Sequence, residues 1–199
     1  MAETEWIKLT LLCLAGAASP GLSWLVIVTM SANHGIRTGL AGALGHGLGI
    51  AVFALITVFG LSAVLLAAPE LARVMTWLGI GLLAYFGYQL VRAGVPPLPE
   101  QLKTGSGFIA GFLVAIVNPK VLVFFLAVFG PFIDPNHSIQ TQVSMGVLAG
   151  LIDALIYTLV ALFALAARRF LHTQRLIHFN RLLGVTLLLS SGWLAVHST

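Results

Sequence analysis

The sequence predicts an all-α fold, a polytopic membrane helical bundle of six transmembrane helices built as two inverted three-helix repeats. Three observations lead there. Of the 199 residues 59% are hydrophobic and 8% charged, with a mean hydropathy of +1.02, whereas soluble domains carry roughly 25% charged residues. The apolar residues gather into six runs, at about 6–30, 39–66, 71–91, 107–131, 143–167 and 180–197, and the first five meet the roughly 20 residues of a bilayer crossing. A proline interrupts the first and the fourth run at corresponding places, in Ser19-Pro20-Gly21 and Asn118-Pro119-Lys120.

The first run imitates a secretion signal, since Leu9 to Ala15 is apolar and small residues follow. Glu3 and Glu5 lead it, however, and apolar sequence resumes at Leu22, so it reads as a retained span. The second run is loaded with glycine, and Gly42, Gly45 and Gly49 share one helical face, suited to tight contact with the first span or its repeat partner. A phosphate-cradling loop is dismissed there, because neither a preceding strand nor a following lysine-serine accompanies the glycines. The third run closes at Arg92, and the proline-rich connector 94–106 divides a repeat at 1–93 from one at 107–199. In the fifth run Gly146, Gly150, Asp153 and Tyr157 fall on one face, and the two glycines admit another helix. The sixth is the shortest, with a clean apolar stretch only from Leu182 to Val196, so Arg181 snorkels at its edge. Turn residues at Asn33-His34-Gly35, Pro69-Glu70 and Asp134-Pro135-Asn136 fall between the runs.

Basic residues set the direction. Arg37, Arg92, Lys103, Arg168, Arg169, Arg175 and Arg181 lie in connectors on one side, against Lys8 and Arg73 on the other. By the positive-inside tendency the richer side is cytoplasmic and both termini face outward, unless the sixth run fails to cross and leaves the C-terminus inside. An odd number of spans per half makes the second half enter from the opposite face, which inverts the repeats. The net charge of +4 thus reads as a topology signal rather than a nucleic-acid footprint. Cys13 is the only cysteine, which excludes an intrachain disulfide.

A proline inside a helix removes one backbone hydrogen bond and frees a carbonyl. In hydrocarbon that loss is tolerated only against protein or a watery cavity, and paired interruptions in two halves point to a transporter's binding site. Carbonyls freed near Gly16 and Ala115 are therefore candidates to hold a substrate ammonium. Counting along the spans puts Lys120 and Asp153 at one level, roughly 20 Å from the cytoplasmic side, with Pro20 in the same zone. A charge at that depth costs about 2.5–3.5 kcal/mol on insertion scales. Either the two neutralise one another as a structural ion pair, or Asp153 relays protons while Lys120 meets a carboxylate. Tyr157, one turn from Asp153, is placed to hydrogen-bond it. His46 lies among the glycines as a structural histidine or a proton carrier. The scattered histidines and lone cysteine offer no metal cluster and call for no cofactor, and the lack of a nucleophile-base set argues against an enzyme.

Gly16 to Gly21, the glycine-rich Gly35 to Gly49, Trp77 to Tyr85, and Gly111 to Phe125 with Asn118-Pro119-Lys120 resemble the LysE/RhtB amino-acid exporter family (LysE-type translocators) over nearly the whole chain. The Asn-Pro-Lys block before Phe124-Phe125 is the most specific piece. The resemblance implies a multi-pass protein of the bacterial inner membrane that exports an amino acid or related small solute by proton antiport. Its partners are then the solute, protons and the lipid bilayer, with no nucleic acid, and glycine faces that permit a homodimer. Ser19, Pro20, Gly21, Ser23, Asn118, Pro119 and Lys120 are the expected substrate-binding residues, with Asp153, Tyr157 and His46 for proton coupling. The chain departs from the family's first motif, which usually reads Pro-Gly-Pro and a polar or acidic residue, by carrying Leu22 and Ser23 after Gly21. Rival expectations are a passive channel for small solutes, which would need an open polar pore, and an inorganic cation exporter, which would need more buried carboxylates than Asp153.

Overall fold

The computed structural model describes residues 1–19, 21–67, 107–125 and 129–164, together with scattered positions at 77–92 and 177–196. All regular structure among them is helical. Helix α1 spans Glu3–Ala18 and starts with Glu3 and Glu5 in its first turn, where a helix end favours negative charge. The Glu5 carboxylate accepts from the Ala2 N–H at 2.7 Å. The helix stops at Ser19, whose backbone is extended at φ −74°, ψ 121°. Helix α2, Leu22–His34, follows an extended Gly21 and is bent by 58° from α1. It ends at Gly35, whose φ of +89° is open to glycine but strained for other residues. Helix α3, Ile36–Ala67, begins at once and is the longest described element.

The fourth run divides in the same manner. Helix α4 covers Gly107–Val117, Asn118 turns extended at φ −75°, ψ 116°, and the short helix α5 restarts at Pro119–Phe124. Sequence reasoning expected Pro119 to weaken a continuous span. Instead Pro119 occupies the first turn of a new helix, where its missing N–H would have had no partner and its fixed φ suits the geometry. Asn118 caps that helix by accepting the Lys120 N–H at 2.9 Å. A 3-10 turn at Gly130–Phe132 leads to Asp134, which accepts from both the backbone and the side-chain nitrogen of Asn136 at 2.8 and 3.0 Å. The Asn136 backbone N–H holds the Asp134 carboxyl below the usual carboxylate range. Ser138 then caps α6, Ile139–Leu162.

Lipid tails give no hydrophobic drive for helices to associate, so close packing has to come from shape. The glycines supply it. A Cβ on Gly45 would land on the Phe108 carbonyl of α4, and one on Gly49 would stand 2.7 Å from Ala115 Cβ. On the other flank of α3, Gly47 faces Ala154 and the Gly150 carbonyl, while Gly150 faces Ala51 and the Gly47 carbonyl. The face that holds Gly42, Gly45 and Gly49 therefore seats α4 at the backbone, with Ile27 and Met30 of α2 against Gly42 as well. Matching positions rise together between α3 and α4, and run in opposite senses between α3 and α6, and between α3 and α2. Helices α3 and α4 are parallel, and α2 and α6 antiparallel to them. Both α3, over Ile36–Ala63, and α6 are long and apolar enough to cross a membrane, and α1 with α2 joins them if the bent pair is one span.

The expected third and sixth spans lie largely outside the described residues, as does the whole 94–106 connector. Where positions are described, the two spans meet. A Cβ on Gly87 would sit 2.9 Å from the Gly184 carbonyl, and one on Gly184 2.6 Å from the Gly87 carbonyl.

Candidate functional site

The two helix breaks face each other. Lys120, at the start of α5, reaches back to the end of α1 and donates from Nζ to the Ser19 carbonyl at 2.6 Å, across 101 residues of sequence. The Asn118 side chain donates from Nδ2 to Ser23 Oγ at 2.7 Å, across 95 residues. Both ends of the Asn118 amide are thereby engaged, one capping its own helix and one holding the first turn of α2. Gly21 lies beside the Lys120 stem, where a Cβ would come into ordinary contact with Lys120 Cδ at 3.7 Å. Pro20, expected at the centre of this arrangement, lies outside the described residues.

Carbonyls at the end of α1 need donors, and those of Gly16, Ala17 and Ser19 have them. Ser19 Oγ donates to the Gly16 carbonyl at 2.8 Å, and Trp24 Nε1 to the Ala17 carbonyl at 2.9 Å. The expectation that the Gly16 carbonyl waits for a substrate ammonium is corrected accordingly: the adjacent serine hydroxyl is within reach and occupies it.

Opposite the breaks, α3 and α6 contribute a buried ion-pairing couple. His46 Nδ1 lies 2.6 Å from Asp153 Oδ2, and the residues are 1% and 5% exposed. The expected Lys120–Asp153 ion pair is not formed, because His46 from the facing helix takes the carboxylate and Lys120 turns to the Ser19 carbonyl. Tyr157 also differs from expectation. Its ring stacks on His46 at 4.2 Å between centroids and 15° between planes, and its hydroxyl is directed to Ser23 rather than to Asp153. His46 Nε2 is buried and has no hydrogen-bond partner among the described residues.

These groups line one pocket of about 460 Å³ of empty space, open mouth included. Ser23, His46, Asn118, Lys120, Asp153 and Tyr157 supply its polar wall, with Cys13, Gly16, Phe124 and Phe125 among the apolar remainder. Two buried apolar clusters flank it along the helices. On α3, Ala43 belongs to one and Ile50 to the other, with His46 between them. On α6, Ile152 and Tyr157 are divided likewise around Asp153. A polar layer sealed by apolar layers is an arrangement in which a small charged or zwitterionic solute can be held away from bulk water.

A family model described as LysE type translocator matches residues 14–198. The chain belongs to that family. It is 31% identical over 128 residues to an uncharacterized membrane protein of Pseudomonas aeruginosa, an alignment that covers 60% of this chain and 59% of that one. The threonine efflux protein of Escherichia coli is 28% identical over 165 residues, 76% of this chain and 78% of its own. The homoserine/homoserine lactone efflux protein of Salmonella typhimurium is 27% identical over 158 residues, 77% of each chain. No solved structure matches. This LysE-type chain is a transmembrane protein, and its apolar helices fit that setting.

Most of the site residues read from the translocator's sequence converge. Ser23, Asn118, Lys120, Asp153, Tyr157 and His46 line the pocket, Ser19 and Gly21 touch Lys120, and Pro119 begins the helix that carries it. Sequence reasoning missed Trp24, the donor to the α1 end, although an indole N–H so near a helix break is a visible signal. It also missed Phe124, and considered Gly16 for its carbonyl alone: a Cβ on Gly16 would stand 2.8 Å from the Phe124 ring, so the glycine makes the seat for that aromatic.

Proposed function

We propose that the chain exports an amino acid, or a closely related small solute, from the cytoplasm in exchange for protons. The observation that carries this reading is the meeting of two helix breaks around a pocket that contains one ammonium, Lys120, and one buried carboxylate couple, His46–Asp153. Membership of the translocator family supports transport, and the threonine and homoserine efflux relatives support an amino acid as cargo.

In this reading Lys120 takes the solute carboxylate with the protons not given to Ser19, assisted by the N–H groups at the first turn of α2. Ser19, Gly21, Ser23 and Asn118 set its position, and Pro20 and Pro119 keep the substrate-binding role that the sequence assigns them. The His46–Asp153 couple, stacked on Tyr157, takes up and releases the proton. Placing the proton group on α3 and α6 and the carboxylate group at the breaks lets one movement of the breaks alter both. The broken units α1–α2 and α4–α5 run in opposite senses, which suits two inverted repeats, at 1–93 and 107–199, rocking about the pocket. The richer basic side faces the cytoplasm in the bacterial inner membrane, with both termini outside.

The test is Asp153→Asn in everted vesicles with an acid interior, where export from the cytoplasmic face appears as uptake of labelled amino acids added outside. Gradient-driven transport is expected to disappear while the variant still inserts and binds solute. Unaltered transport by the variant removes Asp153 from the mechanism.

A further inference from the structure

The imidazole of His46 has one nitrogen too many for a purely structural role. Its Nδ1 is committed to Asp153 at 2.6 Å and its ring is fixed by the stacked Tyr157, yet Nε2 is buried without a partner beside the pocket that the imidazole lines. A buried polar atom left unpaired is costly, so an atom held in that condition by two neighbours is a site for something that comes and goes. With Asp153 as the acceptor, the proton of a neutral imidazole resides on Nδ1, which makes Nε2 a bare lone pair.

Resting on the export reading above, we propose that a proton and the ammonium group of the solute compete for this single lone pair. With Nε2 free, the solute ammonium donates to it, and the Asp153 charge on the far side of the ring stabilises the cation. When a proton instead adds to Nε2, the imidazole becomes an imidazolium, and the same atom now presents an N–H donor that repels the ammonium. One proton enters as one ammonium leaves, and no other bond is made or broken. Exchange then needs no separate signal between a proton site and a solute site, because both ligands use one atom.

The groups that face His46 fit this assignment. Helix α6 brings Asp153 and Tyr157, α5 brings Lys120, and α1 brings Cys13. Among the described residues lining the pocket, α2 contributes the uncharged Ser23, and α4 leads to the uncharged Asn118. A cationic Lys120 and an anionic Asp153 around a neutral His46 sum to zero, so the proton-free pocket suits a zwitterion with carboxylate toward Lys120 and ammonium toward His46.

The experiment is solute-for-solute counterflow in proteoliposomes, with pH equal on both sides and varied between about 5 and 8. For the wild-type protein the KM for threonine is expected to rise toward about tenfold per pH unit on the acid side. The inhibition constant of 3-hydroxybutanoate, which keeps the carboxylate and hydroxyl but lacks the ammonium, should stay level or fall as pH drops. In His46→Gln, which offers an acceptor that does not titrate, threonine counterflow should lose its acid-side rise and a pH gradient should no longer drive uphill transport. A pH-independent wild-type KM overturns the competition, as does an inhibition constant for 3-hydroxybutanoate that rises in step with the threonine KM. Both readouts use the unaltered protein and do not depend on the variant folding. Absence of amino-acid exchange of any kind by the wild-type protein overturns the export reading itself and the competition with it.

Discussion

At the scale of single residues, the chain spends its few polar groups at the level of the helix breaks. Asn118 shows how much one side chain can carry there. Its Oδ1 caps α5 and its Nδ2 holds Ser23 of α2, so a single amide joins the two broken units at 4% exposure. Replacing it by Ala removes the cap and the amide that holds Ser23, for an expected loss of about 1–2 kcal/mol. Asn118→Ser should recover part of that loss, because a serine oxygen can still cap the helix but cannot donate across to Ser23. Thermal unfolding in detergent micelles, compared among the three proteins, checks the order. The same economy explains His46 and Asp153. A buried carboxylate without its partner is strongly unfavourable, commonly by about 3–5 kcal/mol on removal of one member. His46→Leu is therefore expected to express poorly, whereas the His46→Gln replacement preserves a donor to Asp153, and yields of purified protein distinguish them.

At the scale of elements, the glycines of α3 decide how close its neighbours come. Gly45 lies against the Phe108 backbone, which cannot swing aside as a side chain could. Gly45→Ala must push α4 away and is expected to destabilise the bundle by about 1–3 kcal/mol. Gly60, in the same helix, has nothing within 4 Å of its missing Cβ. There the replacement by Ala only restricts the backbone and should stabilise by about 0.5–1 kcal/mol. The opposite signs, read from unfolding midpoints in one detergent, separate a packing glycine from a tolerated one. The element scale is also where sequence reasoning about proline needed amendment. Chemistry at Asn118-Pro119 matches a cap and first turn as well as it matches a kink, and the local sequence does not choose between a bent helix and two helices.

At the scale of the whole molecule, the direction of the spans is the open question with a direct test. The His34–Thr38 junction and the Asp134–His137 turn lie at opposite ends of the bundle, because α3 and α6 run antiparallel. With Cys13 the only cysteine, Cys13→Ser gives a background free of thiols. Single cysteines at Arg37 and Asn136 should then react with an impermeant maleimide from opposite sides, Asn136 in intact cells and Arg37 in everted vesicles. Labelling of both from the same side contradicts the antiparallel crossing, and the reversed pattern overturns the cytoplasmic assignment of the basic connectors.

Residence in a bilayer, the places where helices break and the shared level of Lys120 and Asp153 follow from the amino-acid order alone. Each depends on local composition and on rise per residue, which a short window of sequence contains. The pairing of Asp153 with His46 across 107 residues, the capture of the Ser19 carbonyl by Lys120 and the orphaned Nε2 were decided only by tertiary structure. They depend on the rotation and approach of helices distant in sequence. Glycine contacts set that approach, and a periodic pattern can identify a packing face without naming which helix will lie against it.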